Sequence, residues 1–323
     1  MLAAVATHTD GTDPLSGLRV GEWPEPECPP GWVTVSVRAG GLNHHDLWTL
    51  RGVGITPGQL PVVLGVEAAG RDESGHDVLV YPVIGDPRAG DGDETLDPAM
   101  AMLSVEHDGT LAEQVCVPAA NLVPMPAGMS YAEAACLPGA WLTAYRMLFT
   151  RSGVRPGGTV LVQGAGGGVA TALVMLGAAA GYRMWVTSRS PGRGRRACEL
   201  GAEAAFGPGA RLPYRVDAVM ETVGEATWEH SMRVVRPGGT VVVCGATTGA
   251  RPPTDLRRLF YRQISVVGST MGTRAELVRL VQLCEATGIR PPLHDSLPLA
   301  RAREGFAAMA EGRLFGKLAL TLD

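Results

Sequence analysis

The sequence predicts an α/β protein in two parts, one β-rich and one built on a doubly wound parallel sheet. Three observations carry that prediction. The 323 residues correspond to two domains and suffice to bury a sizeable core. The first part is crowded with short strand signals separated by Gly and Pro. From about residue 158, strand-like and helix-like stretches alternate, as in a parallel sheet whose crossovers are helices.

Taken in order, WVTVSVRAGGL (32–42) alternates β-branched with polar residues, while PVVLGVEAAG (61–70) and HDVLVYPV (76–83) are buried apolar runs. Residues 84–109 have no clear period and read as a loop insertion. MSYAEAACLPGAWLTAYRML (129–148) has helical spacing, with Ser130 at the N-cap and Glu133 completing the capping-box pattern. Residues 159–190 read as a strand, a Gly-rich turn, a small-residue helix and a second strand. RGRRACELGA (193–202) is a helix, and VDAVMETVG (216–224), GTVVVCGATTG (239–249) and ISVVGSTMG (264–272) are strands. A helix at 274–288, another near 299–312 and a closing strand, KLALTLD, complete the chain.

A net charge of -4 argues against nucleic acid or an anionic membrane surface as partner. No run of roughly 18 apolar residues spans a bilayer. The N-terminus, MLAAVATHTDG, lacks the basic n-region of a signal peptide. Six scattered cysteines without a CxxC pair read as buried thiols in a reducing compartment. A cytoplasmic protein is expected, and the richness in Ala, Gly, Arg and Pro points to a high-GC bacterial genome.

In GAGGGVA (164–170), Ala165, Gly167 and Ala170 fit the small-residue spacing of a dinucleotide turn, with Gly166, Gly168 and Val169 completing it. Small residues there permit a tight turn, close approach of the backbone to a pyrophosphate and close helix–strand packing. The following helix offers N–H groups and its positive dipole end. An NAD site wants an acid about 20 residues on; this chain offers Ser188, Arg189 and Ser190, with Arg193 one turn later. Guanidinium groups pair with a 2′-phosphate, so the expected cofactor is NADPH. The competing reading makes Arg189 and Arg193 solvated surface charges.

With these residues assembled, the chain resembles the medium-chain dehydrogenase/reductase superfamily, most of all its quinone oxidoreductase and enoyl reductase branch. GLNHHDLW, LPVVLGVEAAG, GTLAEQVCVP, ACLPGAWLTAYRML, LVQGAGGGVA, ELGA, PGGTVVVCGATTG and VVGSTMGT follow the family's order. The resemblance implies a GroES-like β-rich catalytic domain from residues 1–138 and 271–323 around a Rossmann domain at 139–270. Zinc members hold their metal with a Cys, a His and a later Cys or Asp; here Asn43, Val66 and the stretch Gly139-Ala140-Trp141 stand there. None is a suitable zinc ligand. His44 and His45, read as neighbours in an extended segment, point to opposite faces and do not share an ion. No metal is therefore expected.

The implied activity is zinc-independent, NADPH-dependent reduction of a conjugated C=C or a quinone. His44 stands where related enoyl reductases often have Tyr, and either donates a hydrogen bond or proton or merely orients while water supplies the proton. Asn43 is expected on the nicotinamide ribose or substrate oxygen, Thr143 beside the nicotinamide, and Trp48 and Trp141 in the substrate pocket. Asp46 and Glu67 are expected to be structural. Cys244, Gly245, Ala246 and Thr247 end a Rossmann strand, and Ser269, Thr270 and Met271 follow the last one, so all seven are expected at the cofactor. Lys317 either reaches the cofactor or lies on the surface. Homodimerisation through the strand at 264–270 follows by analogy. Two other readings stay open: a zinc-free alcohol, ketone or imine reductase, and an NADPH-binding protein with little turnover.

Overall fold

The computed structural model describes residues 1–322. Contacts divide the chain into two units, residues 1–140 with 273 onward, and residues 141–272. These boundaries fall two residues later than those read from the sequence.

The first unit is β-rich. One sheet runs Leu122–Pro124, Asp77–Val80, Ala68–Asp72, Trp32–Gly41, Lys317–Thr321 and Leu293–Pro298, with Gln114–Pro118 also paired to Trp32–Gly41. A three-stranded sheet joins Leu18–Glu22, Leu2–Ala6 and Val62–Val63. Val35, Val37, Leu42, Leu47, Leu50, Phe306, Leu318 and Leu320 share one core, where each fully buried Leu or Phe contributes about 1.5–3 kcal/mol. The C-terminal strand pairs antiparallel with Trp32–Gly41, Ala319 facing Gly41. That register brings Lys317 to Leu42, 275 residues away in sequence.

The second unit holds a six-stranded parallel sheet in the order Ala204–Phe206, Arg183–Thr187, Thr159–Val162, Val216–Glu221, Val235–Val243, Ser265–Gly268. Numbered along the chain, this is 3-2-1-4-5-6, the doubly wound order. The helix Gly168–Ala179 follows the first strand, and a Cβ on Gly177 would lie 2.2 Å from the Met184 sulfur. Ala170, where close helix–strand packing was expected, is buried, and the helix also approaches the strand closely at Gly177. The helix Glu225–Val234, unread in the sequence, carries His230 and Ser231.

Four expectations need correction. The segment after Asn43 is not extended; His44–Leu50 is a helix. Asp46 nucleates it by accepting from the Asn43 N–H at 2.8 Å. The stretch 129–148 is not one regular helix. Its start is the expected capping box, Ser130 with Glu133, but Tyr131–Ala134 gives way to π-helical turns at Leu137–Trp141 and Arg146–Arg151. Pro138 has no N–H to give, and the Ala140 N–H is taken by Glu67 Oε2 at 2.9 Å. The apolar run 61–70 splits into Val62–Val63 and the strand beginning at Ala68. Finally, the cysteines are not all buried thiols. Cys28 and Cys116 form a disulfide and Cys198 is exposed. Strand pairing sets Cys116 opposite Thr34, and the loop bearing Cys28 folds back onto that rung. The bonded pair removes the cysteine pattern as an argument for a reducing compartment.

Candidate functional site

In the second unit, the segments that follow the parallel strands emerge at one edge of the sheet, where doubly wound folds bind ligands. The structure places the sequence-predicted residues there: 164–169 after the first strand, 188–193 after the second, 244–247 after the fifth and 269–271 after the sixth. Gly164 takes φ 86°, a left-handed conformation that favours glycine. Gly167 caps the helix Gly168–Ala179 with no side-chain acceptor, and a Cβ there would meet nothing within 4 Å. The first turn thus keeps its N–H groups and dipole for an anion, and the turn's outer side is open. This geometry fits a dinucleotide pyrophosphate.

Ser188 is held in a local turn, donating to Ser190 O at 2.8 Å, and Ser190 caps the helix Pro191–Glu199. Arg189 is exposed, and Arg193 stands in the first turn of that helix. Burial pushes the Cys244 thiol up to about 12, so it stays a neutral group at the strand end. Ser269 is buried, and Met271, with φ 47°, brings its sulfur 4.0 Å from Thr143 Oγ1. Trp141 is fully buried, so it does not form an open pocket wall.

In the first unit a second cluster forms around Glu67. Its carboxylate is fully buried and lies 2.6 Å from Lys317 Nζ, an ion pair outside hydrogen-bond alignment. Lys317 donates to Leu42 O at 2.6 Å and to Asn43 Oδ1 at 2.8 Å. At 3% exposed, it is a buried group rather than a surface lysine. Two glycines make room for the carboxylate. A Cβ on Gly41 would lie 2.1 Å from Glu67 Oε1, and one on Gly139 would lie 2.2 Å from Oε2. Asn43 Nδ2 donates to Gly41 O at 3.2 Å, so the Asn43 amide is engaged at both ends within this unit. It was expected on a ribose or substrate oxygen; here it anchors Lys317.

His44 opens the helix His44–Leu50 and is solvent-exposed. The protein packed about it, with the positive charges of Lys317 and Arg51, holds its pKa below 6.5, so the ring is neutral near pH 7. His45 is half-buried, and desolvation lowers its pKa too. Asp46, fully buried, accepts from Asn43 N and Gly65 N, and burial pushes its carboxyl up to about 7. Trp48 is half-buried with the Arg51 guanidinium 5.8 Å above its ring.

A zinc ion does not fit these residues. Asn43, Val66 and the stretch Gly139-Ala140-Trp141 supply no ligand set, and Glu67, the acid next to Val66, is already paired with the Lys317 ammonium. Among the described residues no three His, Cys, Asp or Glu side chains are grouped to hold a metal. No helix among them is long and apolar enough to cross a membrane. The Lys317–Glu67 pair and the Gln163 network described below were missed in the sequence, because each joins residues from separate segments.

Comparison with known proteins places these features in a family. Residues 29–127 match the alcohol dehydrogenase GroES-like domain, and residues 168–286 match the zinc-binding dehydrogenase family. A zinc-type alcohol dehydrogenase-like protein of Schizosaccharomyces pombe is 30% identical over 340 residues, covering 96% of this chain and 98% of that one. The crystal structure of an NAD-dependent alcohol dehydrogenase superposes with TM-score 0.91 at 32% identity, covering 100% of both chains. That of the 2-octenoyl-CoA carboxylase reductase CinF, in complex with NADP and 2-octenoyl-CoA, gives TM-score 0.90 at 26% identity, covering 99% of this chain and 87% of that one. With a GroES-like match ahead of a 3-2-1-4-5-6 parallel sheet and relatives aligned over nearly their whole length, this chain belongs to the medium-chain dehydrogenase/reductase superfamily of oxidoreductases.

Proposed function

We propose that the chain is a zinc-independent, NADPH-dependent reductase of a C=C conjugated to a carbonyl, as in an enone or enoyl thioester, or of a quinone. The observation that supports the metal-free part is the Lys317–Glu67 ion pair at 2.6 Å, whose lysine donates to Asn43 and whose carboxylate accepts from the Ala140 N–H, so that two of the three zinc-ligand positions adjoin an internal ion pair. For the cofactor, the support is the uncapped helix start at Gly167 and the arginines, in place of an acid, after the second strand. The relatedness to a 2-octenoyl-CoA carboxylase reductase seen with NADP agrees with the cofactor reading.

In this reading the glycine turn and the helix Gly168–Ala179 bind the pyrophosphate, and Arg189 and Arg193 pair with the 2′-phosphate. When bound, the nicotinamide supplies a hydride to the β-carbon of the acceptor. His44, neutral near pH 7, donates a ring N–H to the carbonyl oxygen as negative charge develops there. Lys317 holds Asn43, the residue before His44 and the N-cap of its helix. Two chains pair through the sheet edge Ser265–Gly268, where Val266 is 44% exposed.

The test is NADPH oxidation after chelator treatment against enones, enoyl thioesters, quinones, aldehydes and simple ketones. Turnover confined to conjugated acceptors and indifferent to chelator supports the reading. Turnover confined to aldehydes or ketones favours a second reading, a zinc-free alcohol or ketone reductase, for which the 32% identity to an alcohol dehydrogenase speaks. Loss of activity on chelation overturns the metal-free assignment.

A further inference from the structure

Beneath the glycine turn lies a buried polar chain that the hydride chemistry does not use. Gln163, Glu221 and Ser231 are fully buried, Thr187 is 3% exposed and His230 4%. Polar groups withdrawn from water are costly unless each finds a partner. Here each does, and the direction of every bond can be read. The Glu221 carboxylate accepts from Ser231 Oγ at 2.5 Å. Ser231 Oγ in turn accepts from Gln163 Nε2 at 2.9 Å. The same Nε2 lies 2.9 Å from His230 Nδ1, which therefore accepts, and His230 keeps its proton on Nε2, 2.9 Å from Ala210 O. On the other side Gln163 Oε1 accepts from Thr187 Oγ1 at 2.7 Å, and that oxygen accepts from the Gly164 N–H at 3.1 Å.

The chain ends on loops rather than in the core. Gly164 is the first residue of the glycine turn. Glu221 Oε1 accepts from the backbone N–H groups of Val223 and Gly224 at 2.9 and 3.0 Å. Thr187 ends the strand that runs into Ser188 and Arg189. Gln163 thus stands among the ends of three adjacent parallel strands, at the edge where the dinucleotide is proposed to bind, and ties two of the loops that would receive it. Around it the sheet is filled with apolar residues such as Leu161, Val219 and Val241, so packing alone does not require a polar network here.

We propose that Gln163 is a positioning residue for the dinucleotide. Through Thr187 it aligns the Gly164 amide with the strand end that carries Arg189, and through Ser231 it anchors both to Glu221. It thereby sets affinity for NADPH and the preference for NADPH over NADH. This rests on the dinucleotide reading of the glycine turn.

The test is direct binding of NADPH and of NADH to the full chain by nucleotide fluorescence, with no substrate present. Thr187→Val removes the hydroxyl at nearly constant shape, Thr187→Ser restores it, and Gln163→Leu removes the hub. The expected result is NADPH binding weakened about tenfold or more in Thr187→Val and Gln163→Leu, each tenfold corresponding to about 1.4 kcal/mol. Thr187→Ser should return to within about twofold of wild type, and NADH binding should fall less than NADPH binding. Unchanged NADPH affinity in folded Thr187→Val overturns the proposal. So does an equal loss of both nucleotides in step with a lower Tm, which marks a purely structural role. If Gln163→Leu does not fold, the Thr187 pair decides alone. A wild-type chain that binds neither nucleotide overturns the dinucleotide reading and the proposal with it, and is told apart because the wild type itself is silent.

Discussion

Lys317 Nζ lies 2.6 Å from Glu67 Oε1, and the two residues are 3% and 0% exposed. A buried charge is tolerable only with its partner, so removing one is worse than removing both. Lys317→Met should cost about 3–5 kcal/mol in urea unfolding, and Glu67→Gln with Lys317→Met should recover much of it. Additive losses in the double variant would show that the two charges do not depend on each other.

Glu67 also predicts what its flanking glycines tolerate. Gly139→Ala puts a methyl 2.2 Å from the carboxylate, too close for any heavy atom, and Glu67 is pinned by Lys317 and the Ala140 N–H. A loss of about 1–3 kcal/mol is expected. Gly167→Ala, whose Cβ meets nothing, should leave the unfolding midpoint within about 0.5 kcal/mol while weakening NADPH binding. Thermal unfolding and nucleotide titration of the two variants check the contrast.

Asp46 predicts a pH dependence of defined sign. Its folded pKa, raised from 3.8 to about 7 by burial, means the folded state holds its proton where the unfolded chain has lost it. Its contribution to stability is full below about pH 4 and declines as pH rises to about 7. His45 and His230, both depressed by burial, act oppositely, and their contribution to stability falls as pH drops below 6.5. Unfolding free energies of wild type and Asp46→Asn between pH 4 and 8 should differ in slope, with the wild type losing relative stability as pH rises. Parallel curves would contradict the raised carboxyl.

The cofactor preference has its own check. Arg189→Asp with Arg193→Ala should weaken NADPH binding by about tenfold or more and leave NADH binding nearly unchanged, because charge-assisted bonds to a phosphate are worth about 1.5–3 kcal/mol. Equal losses for both nucleotides would remove these arginines from 2′-phosphate recognition.

Much of this was legible locally. The alternation in Trp32–Gly41, the capping box at Ser130 and Glu133, and the strand, glycine turn and helix from Thr159 to Ala179 depend on neighbours within a few residues. Period and spacing report such features directly. The π-helical turn at Leu137–Trp141 was not legible, because it depends on Glu67, more than 70 residues earlier, taking the Ala140 N–H. The helix at His44–Leu50 was misread as extended, although Asn43 and Asp46 carried the capping signal for it.

The amino-acid sequence by itself determined the two-part architecture, the doubly wound sheet, the glycine turn and the loss of the zinc-ligand residue types, since each is written in residue identity and short-range order. Tertiary structure alone decided that Lys317 is an internal cation rather than a surface one, that Asn43 serves it, that Cys28 meets Cys116, and that Gln163 links Thr187 to Ser231. The reason is physical. A side chain's charge and hydrogen-bonding capacity are fixed by its chemistry, but its partner is whichever group the strand register brings within about 3 Å, and that register is set by packing across the whole sheet.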